Sequence, residues 1–385
     1  MKEKNKKHLL FITGSRGEWG YIRPILRLVE HHENFEYSLC VTNMHLLPSH
    51  GLPVKEIESD GFRIDYRIHM AIDGHTHHSM LKSLGVFLSS LADILSSNKF
   101  DWIILAGDRG EQLMGAVSGA FCYIPVAHIQ AGELSGNIDG MTRHAIGKFA
   151  HLHLAANCDA EQRLLKLGEE SFRVHNVGAP QLDELAQGMV TSIDKVEENL
   201  SVSLQEPFIL LVQHAATEEA HYAGKQISVT VNALKNFKIN KIVILPNNDA
   251  GSLLIRNKIE ELKTSDFYCF ANLSRSDYLS LLKNCQAIVG NSSSGLLEAP
   301  TYKTPAVNIG RRQNCRVSGM NVIHCPFETE KVIEAIQLAI SPQFKQKCFD
   351  ECVNPYGDGR SSERILNLID KIKIDDNLLI KNLTF

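Results

Sequence analysis

The stretch HIQAGELSGNIDGMTRH, His128 to His144, sets Glu133, Asp139 and Arg143 among small residues directly after the apolar run Val126 to Ile129. A second loop of the same kind, AGDRGE, places Asp108 and Arg109 after the run Trp102 to Ala106. If these two runs are neighbouring strands, Asp108, Glu133 and Asp139 converge at one sheet edge, with Arg16, Arg109 and Arg143 among them. Carboxyl groups held close together in a partly dry cleft have their proton affinities split, so that one serves as base while another serves as acid. That division suits removal and return of a proton at carbon. A plainer role exists for part of the set: Asp139 capping a helix Gly140 to Phe149, with Arg143 paired to it at i, i+4. Capping does not exclude catalysis. Gln130, near the start of the loop, has a neutral amide that cannot exchange protons near neutral pH.

Two further loops have the composition of anion sites. TGSRGEWGYIRP ends the first apolar run and VGNSSSGLLEAP lies late in the chain. Each joins an apolar run to a helical pattern through Gly and Ser, which exposes backbone N–H groups at a helix N-terminus. Neither has the Walker A spacing or the dinucleotide-binding glycine pattern. The bland reading of Ser292, Ser293 and Ser294 is a helix cap. Glu298, one turn further on, suits the hydroxyls of a ribose, and IGRRQN supplies Arg311 and Arg312 for a diphosphate. VQHAAT adds His214, and LPNNDAG adds Asn247, Asn248 and Asp249, at still other strand ends. A helix end contributes only about 0.3 to 1 kcal/mol to an exposed anion, so the arginines must supply most of the affinity. His75, His77 and His78 fall in a polar segment without a supporting carboxylate pattern and read as a solvated loop; no metal site is expected.

The elements that must position these groups alternate along the chain. Apolar, β-branched runs at His8 to Thr13, Tyr37 to Thr42, Trp102 to Ala106, Val126 to Ile129, Leu152 to Ala155 and Val174 to Val177 are separated by amphipathic stretches such as Leu81 to Leu95, Glu111 to Phe121 and Arg143 to Phe149. A second series begins after Pro207, at Phe208 to Val212, Ile242 to Leu245, Tyr268 to Phe270, Ala287 to Val289 and Pro305 to Ile309. The pattern predicts two doubly wound α/β domains with parallel sheets, and ligands in such sheets bind at the carboxyl ends of the strands. The polar, strand-free segment Gln187 to Glu206 sets the boundary, giving residues 1–186, residues 187–360, and a C-terminal helix and tail, 361–385, that packs back on one of the domains. With 385 residues and 44% apolar composition both domains can hold a core, which excludes a disordered or fibrous chain. The net charge of −4, from 40 basic and 44 acidic residues mixed along the chain, favours neither nucleic acid nor an anionic membrane as partner. No stretch is expected to reach the length of a membrane span. The nine cysteines lack paired zinc-ribbon spacing and read as free thiols in a reducing cytoplasm.

In this order and spacing, TGSRGEWG, AGDRGE, HIQAGELSGNIDGMTRHAI, PNNDAG, GNSSSGLLEAP and NIGRRQNCR resemble the hydrolysing UDP-N-acetylglucosamine 2-epimerases of sialic-acid and legionaminic-acid pathways. The similarity covers nearly the whole chain. It implies two Rossmann-like domains in the glycosyltransferase-B arrangement, and anti elimination of UDP to a 2-acetamidoglucal followed by hydration to free N-acetylmannosamine or a close analogue. No nicotinamide or metal cofactor is implied. The UDP-contacting set it implies is Arg16, Arg109, His214, Asn247, Ser292, Ser293, Glu298 and Arg312. The acid/base positions fall on Asp108, on Gln130 or Glu133, and on Asp139, with Arg143 and His214 also in the catalytic set. Some members have Glu where this chain has Gln130, so either Glu133 takes over or Asp108 and Asp139 do the proton work while Gln130 orients the sugar. QHAAT lacks a proline that often follows this histidine, and Gly20 replaces a serine of some relatives. A related branch acts on 2,4-diacetamido-2,4,6-trideoxyglucose linked to UDP or GDP, and a glycosyltransferase or a nucleotide-sugar sensor of the same fold are the other readings. Relatives of this architecture suggest a homodimer or homotetramer.

Overall fold

The computed structural model describes residues 6–382 and 384, apart from 73–75, 136–137, 189 and 263–265. Two all-parallel sheets organise the chain. In the first, β1 (Lys7–Thr13), β2 (Phe35–Thr42), β3 (Tyr66–Ile68), β4 (Trp102–Ala106), β5 (Val126–Ala131), β6 (Leu152–Ala155) and β7 (Val174–Asn176) lie in the order β3-β2-β1-β4-β5-β6-β7. The second is built from β8 (Phe208–Val212), β9 (Asn240–Ile244), β10 (Phe267–Phe270), β11 (Ile288–Gly290), β12 (Ala306–Ile309) and β13 (Val322–Cys325), in the order β10-β9-β8-β11-β12-β13. Both are doubly wound, as expected. The order reverses between β1 and β4 in one sheet and between β8 and β11 in the other, and these switch points are where open α/β sheets leave a crevice.

Layering follows from the period-2 alternation of the strands. In β1, Leu9 and Phe11 face a core shared with Trp19, Ile22, Ile25 and Leu26 of the helix Arg16–Glu30, while Leu10 and Ile12 face Phe87, Leu91 and Leu95 of the helix His77–Ser97. Each fully buried side chain of this size contributes about 1.5 to 3 kcal/mol. β3 and β13 are absent from the pattern of apolar runs because each is a short edge strand with a half-exposed face. The last helix, Ser361–Lys371, adds Ile365, Leu366 and Ile369 to the first core, and its first turn is capped by Asp183, which accepts from the N–H groups of Ser361 and Ser362 at 3.0 and 2.7 Å.

Two expectations are corrected here. The helix His77–Ser97 has 21 residues and is long and apolar enough, by length and composition, to cross a membrane. The helix runs past both ends of the expected Leu81 to Leu95, while its inner stripe of Phe87, Leu91 and Leu95 packs on the first sheet. His77 and His78 accordingly begin this helix instead of lying in a loop, and His77 Nε2 sits 3.3 Å from the carbonyl of Thr217. His75 lies outside the described residues. Among the described residues no group of three or more His, Cys, Asp or Glu is placed to hold a metal ion, and all nine cysteines are free thiols.

Candidate active site

A cavity of about 230 Å³ opens between the carboxyl ends of the two sheets. From the first side it is lined by Ser15, Arg16, Trp19 and Tyr21 after β1, Gly107, Asp108 and Arg109 after β4, and Asp139 of the helix Ile138–Phe149. From the second come His214 after β8, Asn247 after β9, Arg275 and Tyr278 after β10, Ser292, Ser293, Ser294 and Glu298 after β11, and Arg312 after β12. The turn at β11 needs Gly290: its φ is +131°, and a Cβ there would stand 2.1 Å from the carbonyl oxygen of Val212.

The carboxylates differ in their surroundings. Arg143, buried beneath the loop, donates to Asp108 Oδ2 and, at 2.6 Å, to the backbone carbonyl of Gln130. It therefore does not serve Asp139 in the i, i+4 pair that capping would require, and Asp139 lies inside the first turn of its helix, not at a cap ahead of Gly140. Burial pushes the Asp108 carboxyl up, but Arg143, Arg316, Arg312 and Arg109 outweigh it and hold the group below the ordinary aspartate range. For Asp139 the balance is reversed. Burial, then the charges of Asp108 and Asp249, raise it to about 6, against Arg312 and Arg109. Arg312 Nη2 approaches Asp139 Oδ2 to 3.8 Å from the opposite sheet. One cleft thus holds a fixed anion beside a carboxyl poised near neutrality.

Glu133, Gln130 and Arg143 stand behind the cleft wall. Glu133 is buried and accepts from Asn157, with the Tyr356 hydroxyl oxygen 3.5 Å away. Gln130 sits at a bulge of β5 against β6 with φ of +64°, a left-handed backbone unusual for a residue with a side chain. That twist turns its carbonyl to Arg143, while its side-chain amide lies 3.5 Å from Gln181, which does line the cavity.

His214 is held by its neighbours. Asn291 accepts from its N–H at 2.7 Å and donates to its carbonyl at 2.9 Å, and the Asn247 N–H donates to Nδ1 at 3.3 Å. Nδ1 is thereby an acceptor, which leaves the proton on Nε2 in the neutral ring. Burial foremost, then Arg312, push its pKa down to about 3, so His214 is a neutral donor at physiological pH.

The anion loops differ from expectation. At the first, the capping box of Ser15 and Glu18 fills the helix end: Glu18 Oε2 accepts from the N–H groups of Gly14 at 2.5 Å and Ser15 at 3.1 Å. That terminus is already occupied by an internal carboxyl group. At the second, the helix is a single turn, Ser294–Leu297, with Glu298 at its C-cap, so the serine hydroxyls and Arg312 count for more than a dipole. Glu298 is engaged by Arg275 and Ser294. Arg311 turns outward to Glu219 at 2.7 Å and does not line the cavity with Arg312. Arg16 and Arg109 cross the cleft, Arg16 to Asn272 at 2.6 Å and Arg109 to Asn248 and Asp249, each at 3.2 Å. Arg275, Tyr278 and Arg316 were missed by sequence reasoning. The rule of searching loops after strands finds Arg275 after β10; for Arg316 only the geometry across the cleft reveals its partner.

A model of the family described as UDP-N-acetylglucosamine 2-epimerase matches residues 27–370. The chain belongs to that family. The UDP-N,N'-diacetylbacillosamine 2-epimerase (hydrolyzing) of Legionella pneumophila is 33% identical over 97% of this chain and 98% of its own length. The UDP-N-acetylglucosamine 2-epimerase of Neisseria meningitidis serogroup B is 35% identical over 87% of this chain and 88% of its own. Among solved structures, a Neisseria meningitidis UDP-GlcNAc 2-epimerase bound to UDP-GlcNAc superposes with a TM-score of 0.81 at 20% identity, covering 95% of this chain and 100% of that one, which establishes the shared fold.

Proposed function

We propose that this chain is a hydrolysing 2-epimerase of a UDP-linked 2-acetamido sugar, UDP-N-acetylglucosamine first, releasing UDP and free N-acetylmannosamine. The observation that carries the reading is the pair in one cleft, Asp108 held as an anion and Asp139 poised near neutrality. In the elimination, a carboxylate takes the C2 proton, the C1–O bond breaks with its electron pair leaving on UDP, and a C1–C2 double bond forms. Water then adds its hydroxyl at C1 while C2 regains a proton on the other face. Because opposite faces of C2 are involved, the two transfers fall to two groups: Asp108, held as the carboxylate, suits removal of the C2 proton, and Asp139, poised near neutrality, suits its delivery on the other face. In the resting site the charge of Asp108 also raises the affinity of Asp139 for its proton. On the second side the Nε2–H of His214, Ser292, Ser293, Asn247 and Arg312 suit the diphosphate, and Glu298 the ribose hydroxyls once Arg275 yields. Arg16 and Arg109 close the cleft over it. The same reading takes residues 1–186 and 187–360 as the two domains, in a cytoplasmic homodimer or homotetramer that gel filtration would size.

A second substrate, the UDP-linked 2,4-diacetamido-2,4,6-trideoxy sugar, is favoured by the near full-length match to the Legionella relative. Incubating the protein with each nucleotide sugar and following the products by NMR decides between them. Release of UDP with a free manno-configured sugar from one of the two is expected. Turnover of neither overturns the reading, and UDP binding with both donors left intact would identify a sensor.

A further inference from the structure

Arg316 belongs to the loop after β12 of the second sheet, yet its guanidinium is buried against the first. Nε donates to the carbonyl of Leu134 at 2.7 Å, Nη2 donates to Ser135 Oγ at 3.0 Å, and Nη2 lies 3.5 Å from Asp108 Oδ2. Ser135 Oγ is itself 3.4 Å from that same oxygen, on which Arg143 also converges. The Tyr356 hydroxyl secures the next residue by donating to the carbonyl of Val317 at 2.6 Å. Arg316 does not line the cavity, whereas Asp108 does. Whatever it contributes to chemistry is exerted through Asp108 and the catalytic loop.

We propose that Arg316 is a positioning residue that latches the second domain onto the 134–135 loop and fixes Asp108 across the cleft, so that the catalytic pair is complete only when the domains are closed on each other. This rests on the reading of Asp108 and Asp139 as the proton-handling pair. The environment of Asp108 is otherwise supplied from one side: Arg109 beside it, Arg143, Asp139 and His128 from the first sheet's loops and strands, and Tyr21 from the helix Arg16–Glu30. From the second side come Arg312 and Arg316, and of the two only Arg316 comes within 4 Å of Asp108. The latch needs the planar fork of arginine. Its Nε and Nη2 reach two acceptors on adjacent residues while the charge stays against the carboxylate, and a lysine ammonium on its single stem cannot hold all three.

The test uses the full chain with Arg316→Gln and Arg316→Lys, each checked for folding by near-UV circular dichroism and thermal melting. Carbon-13 NMR of aspartate-labelled protein, with the Asp108 signal assigned from Asp108→Asn, follows its titration without requiring turnover. The midpoint of Asp108 is expected to rise by about 1 pH unit in Arg316→Gln and by less in Arg316→Lys. On the substrate that turns over, kcat falls about tenfold or more, its acid limb moves to higher pH, and UDP affinity stays within about threefold. An unmoved Asp108 midpoint in a folded Arg316→Gln protein overturns the proposal, as does loss of UDP affinity at unchanged kcat. If Arg316→Gln does not fold, Arg316→Lys carries the same two readouts, and an unmoved midpoint there overturns it. Absence of turnover on every nucleotide sugar would sink the proposed activity while the NMR titration still decides the role of Arg316.

Discussion

Replacing Asp139 by Asn separates a proton-transfer group from a helix cap more sharply than any other single change. The carboxyl is raised from its ordinary 3.8 to about 6, a difference of about 2 units, chiefly by burial and the neighbouring charge of Asp108. At about 1.4 kcal/mol per unit this is about 3 kcal/mol by which the ionised form disfavours the folded protein. The sign follows from proton binding. The folded chain holds the Asp139 proton more tightly than the unfolded chain, so stability is lost as pH rises from about 4 and the full penalty applies above about 6. An amide has the shape of the protonated carboxyl and carries no charge. Asp139→Asn is therefore expected to raise the denaturation midpoint well above pH 6, with the gain vanishing as pH approaches 4. The same substitution should lower kcat by about 10² to 10⁴ with UDP affinity nearly unchanged. Guanidinium unfolding at the two pH values and steady-state kinetics with product NMR are the assays. A protein that is less stable at high pH with kcat per folded molecule intact would show Asp139 to be a first-turn helix residue and nothing more, and the account of the pair would fail.

Other substitutions probe the supports. Gln130→Glu, which would place a second carboxylate in a proton path if the side chain reached the sugar, should bring no gain in kcat and a loss of about 1 to 3 kcal/mol, because the side chain is buried beside Gln181 behind the wall. Gln130→Gly keeps the carbonyl that holds Arg143 and relieves the left-handed backbone, so kcat should stay within a few-fold, whereas Gln130→Val should cost about 1 to 3 kcal/mol more in urea unfolding. Asp183→Ala removes both caps on the last helix and should destabilise by about 1 to 2 kcal/mol in the same measurement, leaving KM unaltered. His45 and His128 are buried neutral, each pushed down to about 3 chiefly by burial. Below about pH 6.5 the unfolded chain protonates them and the folded chain does not, so the pair should cost about 2 kcal/mol of stability between pH 6.5 and 5.5, visible as a lower denaturation midpoint at the lower pH.

Interior strands were legible because parallel strands buried on both faces read as unbroken apolar runs: β4, β6 and β8 match the runs at Trp102, Leu152 and Phe208 residue for residue. β3 and β13 were not, since an edge strand such as Tyr66–Ile68 alternates exposed and buried residues over too few positions to register. In the site, the loops after strands pointed to Asp108, Asp139, His214, Ser292 and Arg312, all of which line the cavity. The directions of side chains were not legible. Arg311 and Arg312 are adjacent in sequence and face opposite ways, and Glu18, unremarked in its loop, occupies the helix end taken for an anion site. Arg316 meets Leu134 and Asp108 from about two hundred residues away, a contact made by the packing of two domains and by no local pattern.

The central claim, that a proton is exchanged at C2 as the sugar is released, is tested most directly by turnover in heavy water. With UDP-N-acetylglucosamine or its 2,4-diacetamido counterpart, the account predicts equimolar UDP and a free manno-configured sugar carrying one deuterium at C2. Free sugar that retains its original C2 hydrogen, or an epimerised sugar still bound to UDP, would contradict it.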